Sequence, residues 1–236
     1  METNFIYKGD CMEYMSTLAD CSVDLIASDV PYRTHRIGRG CGRGMYKKEV
    51  VRTGKIFSNN DIDIEDYLSE LYRILKDGTH CYLMTNNFNI IHFLKVIDDS
   101  PFNFVKNLIW MKDNKITHTC SYMSQYEYII LLSKGSARRV NDCGVSDVLQ
   151  YANKKDKKSD GGNIHDSQKP IDLFRMLIRQ SSNEGDVVFD PFMGSGTTAL
   201  ACINEGRRYI GCEIDEEYHN VCMRRIKEET SKLTLF

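Results

Sequence analysis

The chain has 236 residues, enough for one large domain with a sizeable core, and its 42% apolar share is that of an ordinary globular protein. No apolar run approaches the roughly 18 residues of a membrane span, no signal peptide opens the sequence, and the nine cysteines form no C-x-x-C pair. A membrane span and a disulfide scaffold are thereby excluded, and free thiols in a reducing cytoplasm are expected. Formal net charge is only −2, yet residues 33–55 carry five Arg and three Lys against Glu49. That stretch is +7, so the remainder is −9 (−2 minus 7). A basic island on an acidic body suggests an anionic partner at one face; the plainer reading is a solvated loop.

In chain order, short apolar runs alternate with helical patterns, as in an α/β sheet. Residues 4–7 and 23–27 read as buried strands. Asp63 caps a predicted helix whose stripe is Ile64, Tyr67, Leu68, Leu71 and Leu75, with Gly78 as its stop. A strand is predicted over 79–84 and a helix over 89–97. The runs 102–110 and 126–132 are β-rich with no helix between them, which predicts an antiparallel pair at one sheet edge. Residues 141–163 are polar and read as a loop or small recognition element. Pro170 opens a helix bearing Leu173, Phe174, Leu177 and Ile178. Strands are predicted over 186–190 and 207–213, with helices from Thr197 and from about Glu216.

Two signatures carry chemistry. Val187-Val188-Phe189-Asp190 leads into Pro191-Phe192-Met193-Gly194-Ser195-Gly196-Thr197, the strand–turn–helix setting of a nucleotide-type fingerprint. Glu213 follows 17 residues after Gly196, at the end of the next strand, where a carboxylate can accept from both ribose hydroxyls. A third glycine near position 199 is missing, so the turn alone does not name the cofactor. Asp29-Val30-Pro31-Tyr32 closes an earlier strand. An aromatic amine is a poor nucleophile because its lone pair is delocalised into the ring. A carboxylate and a backbone carbonyl, from Asp29 and Val30, can each accept one amine hydrogen and so favour a pyramidal nitrogen. Pro31 biases Val30 toward an extended backbone, and Tyr32 can stack on a flipped base. The alternative for each signature is an ordinary tight turn.

With the tetrad ahead of the glycine turn, the two signatures together resemble the beta class of amino-directed DNA methyltransferases that use S-adenosylmethionine. Gly9-Asp10, residues 71–78, Trp110-Met111-Lys112, Gln125-Tyr126-Glu127-Tyr128, His165-x-x-Gln168-Lys169-Pro170 and residues 207–213 extend the likeness over nearly the whole chain. The resemblance implies a class I Rossmann-like methyltransferase fold, circularly permuted, with a mostly parallel doubly wound sheet and an antiparallel edge hairpin. It implies a single domain over 1–236. It implies catalysis by Asp29, Val30, Pro31 and Tyr32. The donor pocket would comprise Asp10, Asp29, Lys169, Asp190, Phe192, Gly194, Ser195, Gly196, Thr197 and Glu213. Double-stranded DNA is the implied partner; the family often dimerises, and a cognate restriction nuclease is compatible with it. No metal is expected, since His118-Thr119-Cys120 has no partner pair.

Two departures stand out. The tetrad's second place usually holds Pro; Val30 acts there through its carbonyl. The target-recognition segment, residues 134–164, is short, so the Gly/Arg-rich loop 33–60 is expected to share DNA contact through Arg33, Arg36, Arg39 and Arg43. The resemblance also implies the 6-amino group of adenine as target, because relatives with Asp in the first tetrad place mostly act on adenine; the 4-amino group of cytosine is the alternative, and the chemistry of the residues alone does not decide. A glutamine-directed protein methyltransferase runs its motifs in the opposite order, and a non-catalytic DNA-binding relative need not keep both signatures intact. Neutralising Arg36, Arg39 and Arg43 together is expected to weaken DNA binding. The salt dependence should flatten by up to about one unit of log–log slope per lost phosphate contact. Binding titrations across a salt series check this, and an unchanged slope identifies the loop as a solvated face.

Overall fold

The computed structural model describes residues 1–31, 62–116, 122–153 and 168–233. In chain order the elements are β1 (Phe5–Lys8), α1 (Cys11–Thr17), β2 (Val23–Ser28), α2 (Ile64–Ile74), β3 (Leu75–Thr85), α3 (Ile90–Asp98), β4 (Asn103–Ile116), β5 (Ser124–Ser133), β6 (Val148–Gln150), α4 (Ile171–Ser181), β7 (Val187–Asp190), α5 (Thr197–Asn204), β8 (Arg208–Glu213) and α6 (Glu216–Leu233). The strands form one sheet in the order β1-β8-β7-β2-β3-β5-β4-β6. From β1 to β3 every pairing is parallel; β5 runs antiparallel to both β3 and β4. This is the mostly parallel, doubly wound sheet expected from the sequence.

Helices cover both faces of the parallel part, which is why its strands read as near-continuous apolar runs. On one face Met15 of α1, Tyr67, Leu71 and Ile74 of α2, and Phe93 and Ile97 of α3 pack on Ile26, Leu83, Phe189 and Ile210. On the other, Phe174 and Leu177 of α4, Leu200 of α5, and Cys222 and Ile226 of α6 pack on Ala27, Tyr82, Trp110 and Val188. Helix α2 shows how local sequence sets an element. Its apolar residues recur every three or four positions, so one stripe faces the sheet. Asp63 and Asp66 close a reciprocal capping box at its start, a device of about 1 kcal/mol.

Three elements differ from the sequence reading. The helix predicted to stop at Gly78 ends at Ile74, and Gly78 lies inside β3 with φ of +75°. Its N–H donates to Lys134 O and its carbonyl accepts from Arg138 N, so the left-handed kink serves the sheet and not a helix end. Helix α1, absent from the sequence reading, is capped by Asp10, whose side chain accepts from Met12 N at 2.7 Å. The polar stretch 141–163 holds strand β6, which pairs parallel to β4 outside the expected hairpin.

The pairing directions bring every chemically interesting strand end to one edge. The carboxyl ends of β1, β8, β7, β2 and β3 lie together there. The antiparallel pairing of Thr85 with Tyr128 and of Trp110 with Glu127 adds the start of β5 and the far part of β4 to the same edge.

Candidate active site

The glycine turn follows β7. Gly194 and Gly196 both take the left-handed conformation, with φ of +54° and +87°. A Cβ on Gly196 would lie 2.7 Å from Cys222 Sγ of α6, so glycine is required there by the helix beneath the turn as well as by the backbone. The same helix supplies Arg225, which is buried and donates to the carbonyl and hydroxyl of Ser195. Ser195 is thus anchored from below. Thr197 Oγ1 reaches Lys169 O at 3.4 Å, and the Phe192 ring packs edge-on against Tyr67 at 5.2 Å.

Glu213 ends β8 opposite this turn. Its Oε2 accepts from Gly194 N at 2.7 Å and its Oε1 from Asp215 N at 2.8 Å. One oxygen is therefore pinned to the turn and the other to its own loop, and each keeps a lone pair for a hydroxyl. Burial raises the Glu213 carboxyl above its ordinary range, against the pull of those two N–H groups. The β1 end lies alongside, with Gly9 N donating to Glu213 O at 3.0 Å, so Asp10 and Glu213 stand at neighbouring strand ends.

Asp190 is fully engaged within the protein. Its Oδ1 accepts from Ser28 Oγ at 2.6 Å and Phe192 N at 3.0 Å, and its Oδ2 accepts from Thr198 Oγ1. Burial pushes its carboxyl up to about 6 from an ordinary 3.8, the Ser28, Thr198 and Phe192 donors opposing and Asp29 adding to the rise.

Asp29 stands at the β2 end, beside Val30, whose side chain is buried in the core against α1 and α2. Lys169, just before α4, donates to Asp29 Oδ2 at 2.5 Å. Asp29 Oδ1 is buried and has no hydrogen-bond partner among the described residues. Burial raises the Asp29 carboxyl above its usual value, Lys169 opposing and Glu127 adding to the rise. Tyr32, Arg33, Arg36, Arg39 and Arg43 lie outside the described residues. The structure therefore brings together Asp29, Lys169, the glycine turn, Glu213 and Asp10 on one sheet edge. Sequence reasoning assigned no role to Ser28, Thr198 or Arg225, and quoted Lys112 and Glu127 only as parts of two strands in the family likeness. Arg225 carried one readable signal, its place on the same face of α6 as Cys222 and Ile226.

Comparisons with known proteins accord with this geometry. The DNA methylase family profile for N6 and N4 amino methylation matches residues 23–224. The chain belongs to that family. A type II methyltransferase of Moraxella bovis, M2.MboI, is 27% identical over 98% of this chain and 91% of its own. The type II methyltransferase M.HinfI of Haemophilus influenzae is 28% identical over 95% of this chain and 68% of its own. Among solved structures, M1.HpyAVI in complex with S-adenosylmethionine superposes with a TM-score of 0.69 at 23% identity, covering 94% of this chain and 98% of that one. The cytosine-N4-specific PvuII DNA methyltransferase superposes at 0.73 with 17% identity, covering 98% and 91%. This methylase is thus a DNA methyltransferase acting on an adenine N6 or cytosine N4 amine, with S-adenosylmethionine as donor and double-stranded DNA as substrate. Among the described residues no helix is long and apolar enough to cross a membrane.

The Asp190 carboxyl yields a stability test. Its folded value near 6 lies above the ordinary 3.8, so folding takes up a proton between those pH values. The contribution is largest below about pH 4 and is lost as pH rises through 6. The stability of the wild type relative to Asp190→Asn should fall by on the order of 2–3 kcal/mol between pH 4 and 6.5. Urea unfolding of both proteins across that range checks it, and a flat difference would mean that Asp190 takes up no proton on folding.

Proposed function

We propose that this methylase transfers a methyl group to the 6-amino group of adenine in duplex DNA, with the target base flipped out of the helix, and that the residues at the described sheet edge perform the transfer. The observation that carries the amine-directed reading is Asp29, a carboxylate in the first tetrad place with one oxygen held by Lys169 and the other buried with no partner among the described residues; the adenine choice follows from the resemblance. A buried acceptor without a donor is costly, and an incoming amine hydrogen would satisfy it.

The site formed by Asp10, the glycine turn and Glu213 fits S-adenosylmethionine. The lone pairs left on both Glu213 oxygens match a ribose diol, and two glycines in left-handed conformation shape the turn's approach. When bound, the donor supplies an electrophilic methyl group. The work of the chain is then positional. Asp29 Oδ1 and the Val30 carbonyl accept the two amine hydrogens, drawing the nitrogen lone pair out of ring conjugation. Asp29 Oδ1 is also placed to accept the proton that the nitrogen sheds. Pro31 holds the turn, and Tyr32 supplies a stacking face for the flipped base. The basic stretch 33–55 supports phosphate contact.

Glu213→Ala is expected to weaken donor binding by roughly 1–3 kcal/mol, the cost of leaving hydrogen-bonding groups unpaired. Calorimetry with the donor reads it, and unchanged affinity removes Glu213 from the pocket. Asp29→Ala should abolish most methyl transfer while the fold persists. Digesting the methylated DNA to nucleosides and weighing them identifies the base. N6-methyladenine supports the proposal, whereas 4-methylcytosine alone would overturn the adenine assignment and leave the methyltransferase intact.

A further inference from the structure

Behind Asp29 lies a line of four ionisable side chains drawn from four parts of the chain. Lys112 of β4 donates to Glu127 Oε1 of β5 at 2.7 Å. Glu127 Oε2 lies 3.6 Å from Lys169 Nζ, an ionic contact beyond hydrogen-bond length. Lys169 Nζ closes the line on Asp29 Oδ2 at 2.5 Å. The charges alternate and sum to zero. Side-chain exposure is 3% at Lys112, 15% at Glu127, 7% at Lys169 and 23% at Asp29, so the line is dry at its root and most open at the reacting end. The root also rests on Trp110, whose ring lies 5.4 Å from Lys112 Nζ.

We propose that Lys112 and Glu127 are positioning residues for methyl transfer: they make Lys169 divide its charge between two carboxylates, which keeps Asp29 a strong acceptor with Oδ1 turned to the amine. This deepens the reading of Asp29 given above and rests on it. A lysine facing Asp29 alone would commit its whole charge to that carboxylate and weaken it as an acceptor. Glu127 draws part of that charge away. Lys112 in turn lets Glu127 stay ionised in a buried place, which a lone carboxylate would not do. Glu127 is accordingly held below its ordinary range, Lys169 and Lys112 outweighing its burial. Among the described residues the charged groups acting on Asp29 are Lys169 before α4, Glu127 on β5 and Lys112 on β4, and Asp29 in turn raises Asp190 of β7. The sign follows: Glu127 raises the Asp29 carboxyl, so its removal lowers it.

The test is single-turnover methyl transfer to unmethylated DNA across pH, with donor affinity measured in parallel. Glu127→Gln should lower the plateau rate by roughly fivefold or more, while leaving donor affinity within about threefold. Its acidic limb should move to lower pH, by more than about half a pH unit. Glu127→Asp restores the charge and should return the limb toward its wild-type position. Where the single variant fails to fold, Lys112→Met with Glu127→Gln removes both members of the buried pair, which costs far less than removing one. The limb should still move down, because Glu127 acts on Asp29 more strongly than Lys112 does. Rates that fall in parallel at every pH, with an unmoved limb, would show a purely structural pair and overturn the proposal. Wild-type transfer abolished by Asp29→Ala but indifferent to Glu127 overturns the relay alone. Full transfer by Asp29→Ala overturns the reading of the site and the relay with it.

Discussion

The Asp190 carboxylate ties the end of β2 to the glycine turn, beside the Val187 N–Asp24 and Thr198–Ala27 bonds that cross the same junction. The β2–β7 ladder pairs only Leu25 with Val188 and Ile26 with Phe189, and the strands then part toward the site. Beyond that point Asp190 accepts from Ser28 at the end of β2, from Phe192 in the glycine turn and from Thr198 in α5, and Thr198 Oγ1 also reaches Ala27 O. Asp190 thus helps fix how far the glycine turn stands from the end of β2. Burying an anion there is costly, and the raised carboxyl records that cost. Three well-placed donors offset it enough that the group is ionised at neutral pH.

The two sides of that junction are built differently. The donor side is held by backbone and packing: left-handed glycines, Cys222 against Gly196, and the Arg225 guanidinium under Ser195. The amine side is held by alternating charges across strands that run in opposite directions. Both sides also carry buried carboxyls, Glu213 and Asp190 at the turn and Asp29 and Glu127 at the β2 end, so each has its own response to pH.

What was legible in the sequence follows the same division. The glycine turn, the Asp29–Tyr32 tetrad and Glu213 announce themselves because their backbone and end-of-strand geometry demands particular residue types. Long amphipathic helices were legible too, as in the stripe of α2 with its Asp63 cap. Helix α1 has seven residues and buries only Cys11 and Met15, too few to show a period. Strand β6 has three residues with one buried. The end of α2 was misplaced because its apolar stripe continues into Leu75 of β3 without a breaker, and Gly78 imitates a helix stop. Lys112 and Glu127 stood in motifs the sequence offered, but their pairing was not legible, for a deeper reason. It depends on the register that sets Trp110 opposite Glu127, and register is a property of two strands together. Arg225 likewise has no meaning until α6 is laid beneath the turn.

The outermost parallel strand has a consequence for biosynthesis. Strand β1 is made first, yet its ladder partner is β8, so Phe5 waits for Ile210 and Lys8 for Glu213. At about 5–20 residues per second, some ten to forty seconds of translation separate the two. During that interval the β2–β3 pair can form as its residues emerge, but Asp10 has no Glu213 beside it. With Asp10 and Glu213 in the proposed donor pocket, that pocket is completed only after β8 is made and has paired with β1.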